Sequence, residues 1–311
     1  MPVKITEENY QNFGRCVVLE NDACKVKITT EVGPRVVYFA LHGKENMFLE
    51  DLERVNTFGG DLVEKTYGEG RIAYLYGGHR LWASEESVPE TTYPDDRPVT
   101  VERVDGGARF TAPPEDRNEI QKSIEVILDP NEAKVTVRHV IRNVSDSPKS
   151  FAPWALSVMS AGGLEIIRQP ARPTGLRANR RMSFWAYTDM ADSRVYWGRD
   201  FITLRQDLGA NRAIKFGMHP ENAMACYLNH GQAFVKRFET KLDGTYPDFG
   251  CSFETYTNPN FLEIESLGEY KTVPAGECLT HDEQWALYPC EGRPDPRNEA
   301  EIRTFADQFL Q

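Results

Sequence analysis

The sequence predicts an all-β chain built as a large antiparallel sandwich, with one short helix at its C-terminal end. Three observations carry that expectation. Short runs in which apolar and polar residues alternate recur along most of the 311 residues, turn residues punctuate them, and convincing helical periodicity is confined to EAEIRTFADQFLQ (299–311). Strands in such number, without helices to cover them, bury their apolar faces only by packing one sheet on another.

The elements follow in order. CVVLEND (16–22), CKVKITTEVG (24–33) and RVVYFALHGKENMF (35–48) open the chain, and VTVERVDGGARFTA (99–112) and KVTVRHVIRNVS (134–145) continue it. The pattern resumes at FITLRQD (201–207), RAIKFGM (212–218), AMACYLNHGQAFVKRFE (223–239), CSFETYT (251–257), FLEIES (261–266) and CLTHDEQWAL (278–287). Asp105–Gly106–Gly107, His230–Gly231 and Asp243–Gly244 supply hairpin chemistry between them. The proline-rich EESVPETTYPDDRP (85–98) reads as a long loop, a length that in compact folds commonly serves function. No fixed-period repeat is visible, which excludes a propeller or solenoid. One decorated domain spanning 1–311 accounts for the whole pattern.

Composition narrows the function classes. A formal net charge of −11 opposes nucleic acid, which demands a basic surface. The balance reverses locally in RQPARPTGLRANRR (168–181), with Arg168, Arg172, Arg177, Arg180 and Arg181: ordinarily a solvated loop, otherwise a contact for an anionic substrate or a subunit. The six cysteines are scattered without a CxxC pair, so they read as reduced core thiols rather than zinc ligands. No metal and no cofactor is expected. No stretch approaches the ~18 apolar residues of a membrane helix, and MPVKITEENYQNFG lacks the form of a signal peptide, so a cytoplasmic protein, monomer or homodimer, is expected.

The chemistry concentrates in GCSFETYTNPNFLEIESLG (250–268). Strand alternation puts Ser252, Glu254 and Tyr256 on one face, and Glu263 and Glu265 on the face opposite Leu262 and Ile264. A face that simply meets water is the plain alternative, but three glutamates beside Tyr256 and Phe261 suit a sugar. Aromatic rings cover its C–H surface while carboxylates accept from its hydroxyls. A second constellation is YLYGGHRLWASEES (74–87), where His79, Arg80 and Trp82 follow a glycine pair. Trp154, Trp185 and Trp197 are core residues by default and ligand platforms by alternative.

YGGHRLW, TYPDDRPV, FAPWALSVMSAGG, FVKRF, YPDFGCSFETYTNPNFLEIESLG and PAGECLTHDEQWAL together resemble a bacterial family related to the galactose mutarotases, or aldose 1-epimerases. The resemblance implies a β-supersandwich and, in GCSFET, a glutamate base at Glu254, with Glu263 and Glu265 as rivals because strand register is not fixed by sequence. Mutarotation needs an acid at the ring oxygen and a base at the anomeric hydroxyl. The mutarotase histidine is replaced here: RNVSDSPKSF runs into APWALS, with Ala152 and Trp154 where His and Tyr stand in that family. His79 is the substitute acid if its turn opens on the same cavity, and Arg35, Arg80, Arg181 and Lys236 are the residues for an anionic group, with Trp82, Trp154, Trp185 and Tyr256 as sugar platforms. The expected partner is a small carbohydrate, neutral or anionic. The expected function is a mutarotase-like or epimerase-like enzyme; a non-catalytic sugar binder, or a lyase or glycoside-processing enzyme on the same fold, are the alternatives.

Overall fold

The structure is a computed structural model that describes residues 2–310. Among these residues the strands form an eleven-stranded and a ten-stranded antiparallel sheet and a separate two-stranded ribbon. The two large sheets pack against each other through a core in which Phe39, Phe48, Phe234 and Trp285 make edge-to-face contacts, with ring centroids 5.6–6.3 Å apart.

In the first sheet five strands run side by side in the order Gly78–Ser84, Lys149–Met159, Leu262–Leu267, Phe253–Thr257 and Ile214–Met218. Alternation sorts their side chains. Leu81, Ile264, Phe253, Ile214 and Phe216 face the second sheet, and their neighbours in sequence face outward.

Two local devices set the register. The TNPN turn closes on itself, with Asn258 Oδ1 accepting from the backbone N–H of Asn260 (2.8 Å) and Phe261 (3.0 Å), which pairs Glu254 with Glu265 and Tyr256 with Glu263. At the entrance to the Gly78–Ser84 strand, Gly77 and Gly78 have φ of +91° and +67°, and a Cβ on either would lie 2.1–2.3 Å from the carbonyl oxygen of Leu49 or Val36. Only glycine lets the three chain segments approach this closely.

The expected elements recur with some corrections. Asp105–Gly106 and His230–Gly231 do turn hairpins, whereas Asp243–Gly244 makes a reverse turn inside a connection between strands. The helix Glu299–Phe309 is present, capped by Asn298 Oδ1 accepting from Ala300 and Glu301 N–H; Gln311, in the expected range, lies outside the described residues. A second helix, Gly60–Tyr67, arises in a segment without a legible period. All six cysteines are free, but Cys278 is exposed rather than in the core. No helix of the described residues is long and apolar enough to cross a membrane.

Candidate functional site

The outward face of the five strands is not a solvated surface. Glu254 and Glu265 have no solvent exposure and Glu263 has 7%, while Arg80, Trp82, Trp154 and Lys215 on the same face are also buried. Cross-strand pairing places them: Trp82 opposite Trp154, Arg80 and Glu265 on either side of Leu156, Glu254 opposite Glu265, and Lys215 opposite Tyr256. Connecting segments cover them. Phe58 packs edge-on against Trp82 (5.1 Å), the Trp185 ring lies 4.6 Å from Lys215 Nζ, and Tyr187 meets Tyr256 at 6.5 Å.

Lys215 is the centre of the cluster. Its Nζ lies 2.8 Å from Glu254 and 2.9 Å from Glu265 Oε2, and that same oxygen accepts from Trp154 Nε1 at 2.8 Å. Burial, then Glu265 and Asp248, push Glu254 well above the usual carboxylate range against the pull of Lys215, which favours its protonated form. Burial and Glu265 also raise Glu263, although Arg80 Nη2 pairs with it at 2.9 Å. Gly217 stands opposite Glu254, and a Cβ there would lie 3.1 Å from Glu254 Cγ, so the glycine leaves the space the glutamate fills.

Several buried polar atoms of this cluster have no hydrogen-bond partner: Arg80 Nε and Nη1, Glu265 Oε1 and Glu254 Oε1. An orphaned buried polar atom costs about 1–3 kcal/mol, more when charged, and a face with several makes a candidate site for a ligand that donates and accepts hydrogen bonds. At its outer edge lie Asp248, half-buried beside Glu254, and Glu86, exposed but near Lys215 and Glu265; burial of part of each raises both carboxyls. Asp248 and Phe249 hold left-handed backbone (φ +53° and +61°), a conformation uncommon for non-glycine residues.

Solved structures share this architecture. The chain superposes on a galactose mutarotase-like protein from Clostridium acetobutylicum (TM-score 0.57, 11% identity, 93% of this chain and 99% of that one). It also matches one from Lactobacillus casei (TM-score 0.54, 13% identity, 88% and 100%) and a proposed aldose 1-epimerase from Klebsiella pneumoniae (TM-score 0.61, 10% identity, 98% and 86%). The fold is galactose mutarotase-like. No protein-family model matches the chain, and no curated protein matches it in sequence. At these identities the likeness concerns the fold, and the site stands on its own residues.

On this mutarotase-like frame His79 does not join the glutamates, contrary to the expected pairing. It shares the inward face with Leu81, one residue from the outward Arg80, and lies between the sheets with no solvent exposure. There His139 Nδ1 donates to the carbonyl of His281 (2.9 Å), which leaves its Nε2 to accept from His79 Nε2 at 2.7 Å. His79 Nδ1 in turn accepts from Ser157 Oγ at 2.9 Å. Burial and the neighbouring cations hold His79 well below its ordinary range, and the ring is neutral. Lys236 is also displaced from its expected role: it faces inward, 2.7 Å from Glu283 Oε1. His79, His139 and Glu283 are donors of metal-ligand type, yet each ring nitrogen is engaged in a hydrogen bond, and Glu283 is neutralised by Lys236 and bonded by Trp285 Nε1 at 2.7 Å.

The other expected residues divide. Arg80, Trp82, Trp154, Trp185 and Tyr256 gather with the three glutamates. Arg35 is buried beside them but is occupied by Asp95 and the Leu75 carbonyl (2.9 Å each), with only Nε unpartnered. Arg181 is exposed and reaches only the carbonyls of Phe249 and Gly250. Lys215, Asp248 and Glu86 were not among the expected residues. Lys215 alone had a signal, since RAIKFGM alternates it against Ile214 and Phe216. A groove of about 950 Å³ elsewhere, lined by Thr136, Gln284, Gln308 and Phe309 among others, contains none of the unpartnered buried groups.

Proposed function

We propose that the chain interconverts the anomers of an aldose, with a carboxyl and a carboxylate in place of the usual glutamate and histidine. The observation that carries this reading is the Glu254–Lys215–Glu265 bridge. It sets two carboxyls side by side on a buried face, each with an oxygen turned to no protein donor, and burial favours the proton on Glu254. The anomeric oxygen and the ring oxygen of a sugar are bonded to the same carbon, so an adjacent acid and base reach both. Glu254 gives its proton to the ring oxygen as Glu265 Oε1 takes the proton of the anomeric hydroxyl; the C1–O5 bond breaks and the aldehyde forms. After rotation about C1–C2, the O5 hydroxyl attacks C1. Its proton returns to Glu254 while Glu265 returns the other to the new anomeric oxygen, so both groups end as they began. Trp154 and Lys215 fix Glu265, and Trp82, Trp185 and Tyr256 supply apolar walls for the ring. The resemblance in sequence gives the base to Glu254; its retained proton favours the exchanged roles.

One observation favours a sugar binder instead: none of the histidines joins the carboxylates on this face. Anomeric exchange followed by saturation-transfer NMR over hexoses, uronic acids and sugar phosphates separates the two. Glu254→Gln and Glu265→Gln are each expected to lower exchange by roughly 10²–10⁴ with a much smaller change in calorimetric affinity. Binding without exchange in the wild type would leave the chain a binder.

A further inference from the structure

The carboxyl-rich mouth of the site indicates the charge of its substrate. Five carboxyl groups, Glu86, Asp248, Glu254, Glu263 and Glu265, surround two cations, Arg80 and Lys215. Both cations are committed, Arg80 to Glu263 and Lys215 to Glu254 and Glu265. Glu86 and Asp248 have no ion pair with a cation among the described residues, and Arg181, which reaches the segment next to Asp248, is turned to the backbone carbonyls of Phe249 and Gly250. Below them lies Glu254, fully buried beside Asp248 and with Oε1 unpartnered toward any donor.

Coulomb energy decides between ligand classes here. A carboxylate or phosphate entering past Glu86 and Asp248 would meet like charges, which disfavours it. An ammonium would meet the reverse, received by carboxyl groups alone, because the Trp185 ring already faces the Lys215 ammonium at 4.6 Å. Glu254 Oε1 and Glu265 Oε1, buried and without a protein donor, suit a ligand rich in N–H and O–H groups.

We propose that the substrate is an amino sugar whose ammonium group is received between Glu86 and Asp248, an inference that rests on the aldose reading of the same site. It reverses the expectation of an anionic sugar. Binding of the full chain to 2-amino and 6-amino hexoses is measured by calorimetry near neutral pH against the parent hexoses, their N-acetylated forms and the uronic acids. At least one free amino sugar is expected to bind about tenfold or more tighter than its parent, with the preference lost on N-acetylation. In Glu86→Gln/Asp248→Asn the ratio of amino sugar to parent is expected to fall to about one. Equal affinity for amino and parent sugars, tighter binding of a uronic acid, or a ratio unmoved by the double substitution would each overturn the proposal. So would millimolar calcium that binds at the same carboxyls and is needed for sugar binding. Anomeric exchange on the same panel keeps the two ideas apart: exchange of neutral hexoses without an ammonium preference removes only this inference, and an ammonium preference without exchange removes only the aldose chemistry.

Discussion

The neighbouring strands of the first sheet carry polar clusters on both faces, back to back, and the two are built differently. Toward the interior, His79, His139, Ser157, Lys236 and Glu283 are buried and hydrogen-bonded to one another, and every polar atom of the chain from Lys236 through Ser157 and His79 to His139 has a partner. Toward the outside, Arg80, Glu254 and Glu265 are equally buried yet retain unpartnered atoms. A closed network holds two sheets in one register; an open one holds polarity in reserve for something that arrives. Burial alone does not separate the two, but satisfaction does.

The largest effect that tests this contrast is on stability. Lys236→Met leaves Glu283 buried with its ion pair removed and is expected to cost about 3–5 kcal/mol, read as a lower urea midpoint at unchanged slope. Glu254→Gln on the other face removes a carboxyl that already keeps its proton at its neighbours' expense, so it is expected to be neutral or to stabilise by about 1 kcal/mol. A Glu254→Gln loss as large as that of Lys236→Met would show that both clusters are structural.

Much of the fold was legible because alternation survives in a half-buried strand, but the register that pairs Glu254 with Glu265 was not: it is set by how the Asn258 turn closes. The side on which His79 falls was not legible either. In HRLW both alternating sets contain a large apolar residue, Leu81 in one and Trp82 in the other, so either face could have been the inner one. Leu81 packs into the core between the sheets, while Trp82 packs on Trp154 under the covering loops. Asp248 and Glu86 sit on connections whose path across the sheet follows no period, so nothing in their local sequence marks them as neighbours of Glu254. The same tertiary covering buries the glutamates, which alternation alone would leave in water.

The pH dependence of stability is a moderate effect with opposite signs on the two faces. Glu254 and Glu263 have folded values raised above an unfolded value of about 4.3. Their contribution is therefore full below that pH and lost as pH rises through the folded values. Glu165, the exception inside the core with one unpartnered oxygen, is pushed by burial to about 8 and adds to the same limb. The histidines behave inversely. His79 and His139 are lowered, and burial with His139 takes His281 from 6.5 to about 3, so their contribution is full above 6.5 and lost as pH falls toward 3. The urea midpoint is expected to decline on both sides of a maximum, with Glu254→Gln flattening the alkaline limb and His281→Gln the acid one. A Glu254→Gln variant that changes only the acid limb would contradict the protonation assigned to the outer face.

The smallest expected effect is the response to zinc, and it tests whether the inner cluster is as closed as its bonding implies. His79, His139 and Glu283 place their ligand atoms within 4.8 Å of one another, which a zinc site would require. A zinc ion needs both Nε2 lone pairs bare, whereas the 2.7 Å separation of those nitrogens is that of one N–H donating to the other. It would also bring a dication beside the Lys236 ammonium, which already neutralises Glu283 at 2.7 Å. Equimolar zinc or a chelator is therefore expected to leave the thermal midpoint unchanged, with no metal retained by the purified chain on elemental analysis. One equivalent of zinc retained, with a rise in midpoint that disappears in His139→Gln, would make the inner face a second ligand site and end the distinction between the two clusters.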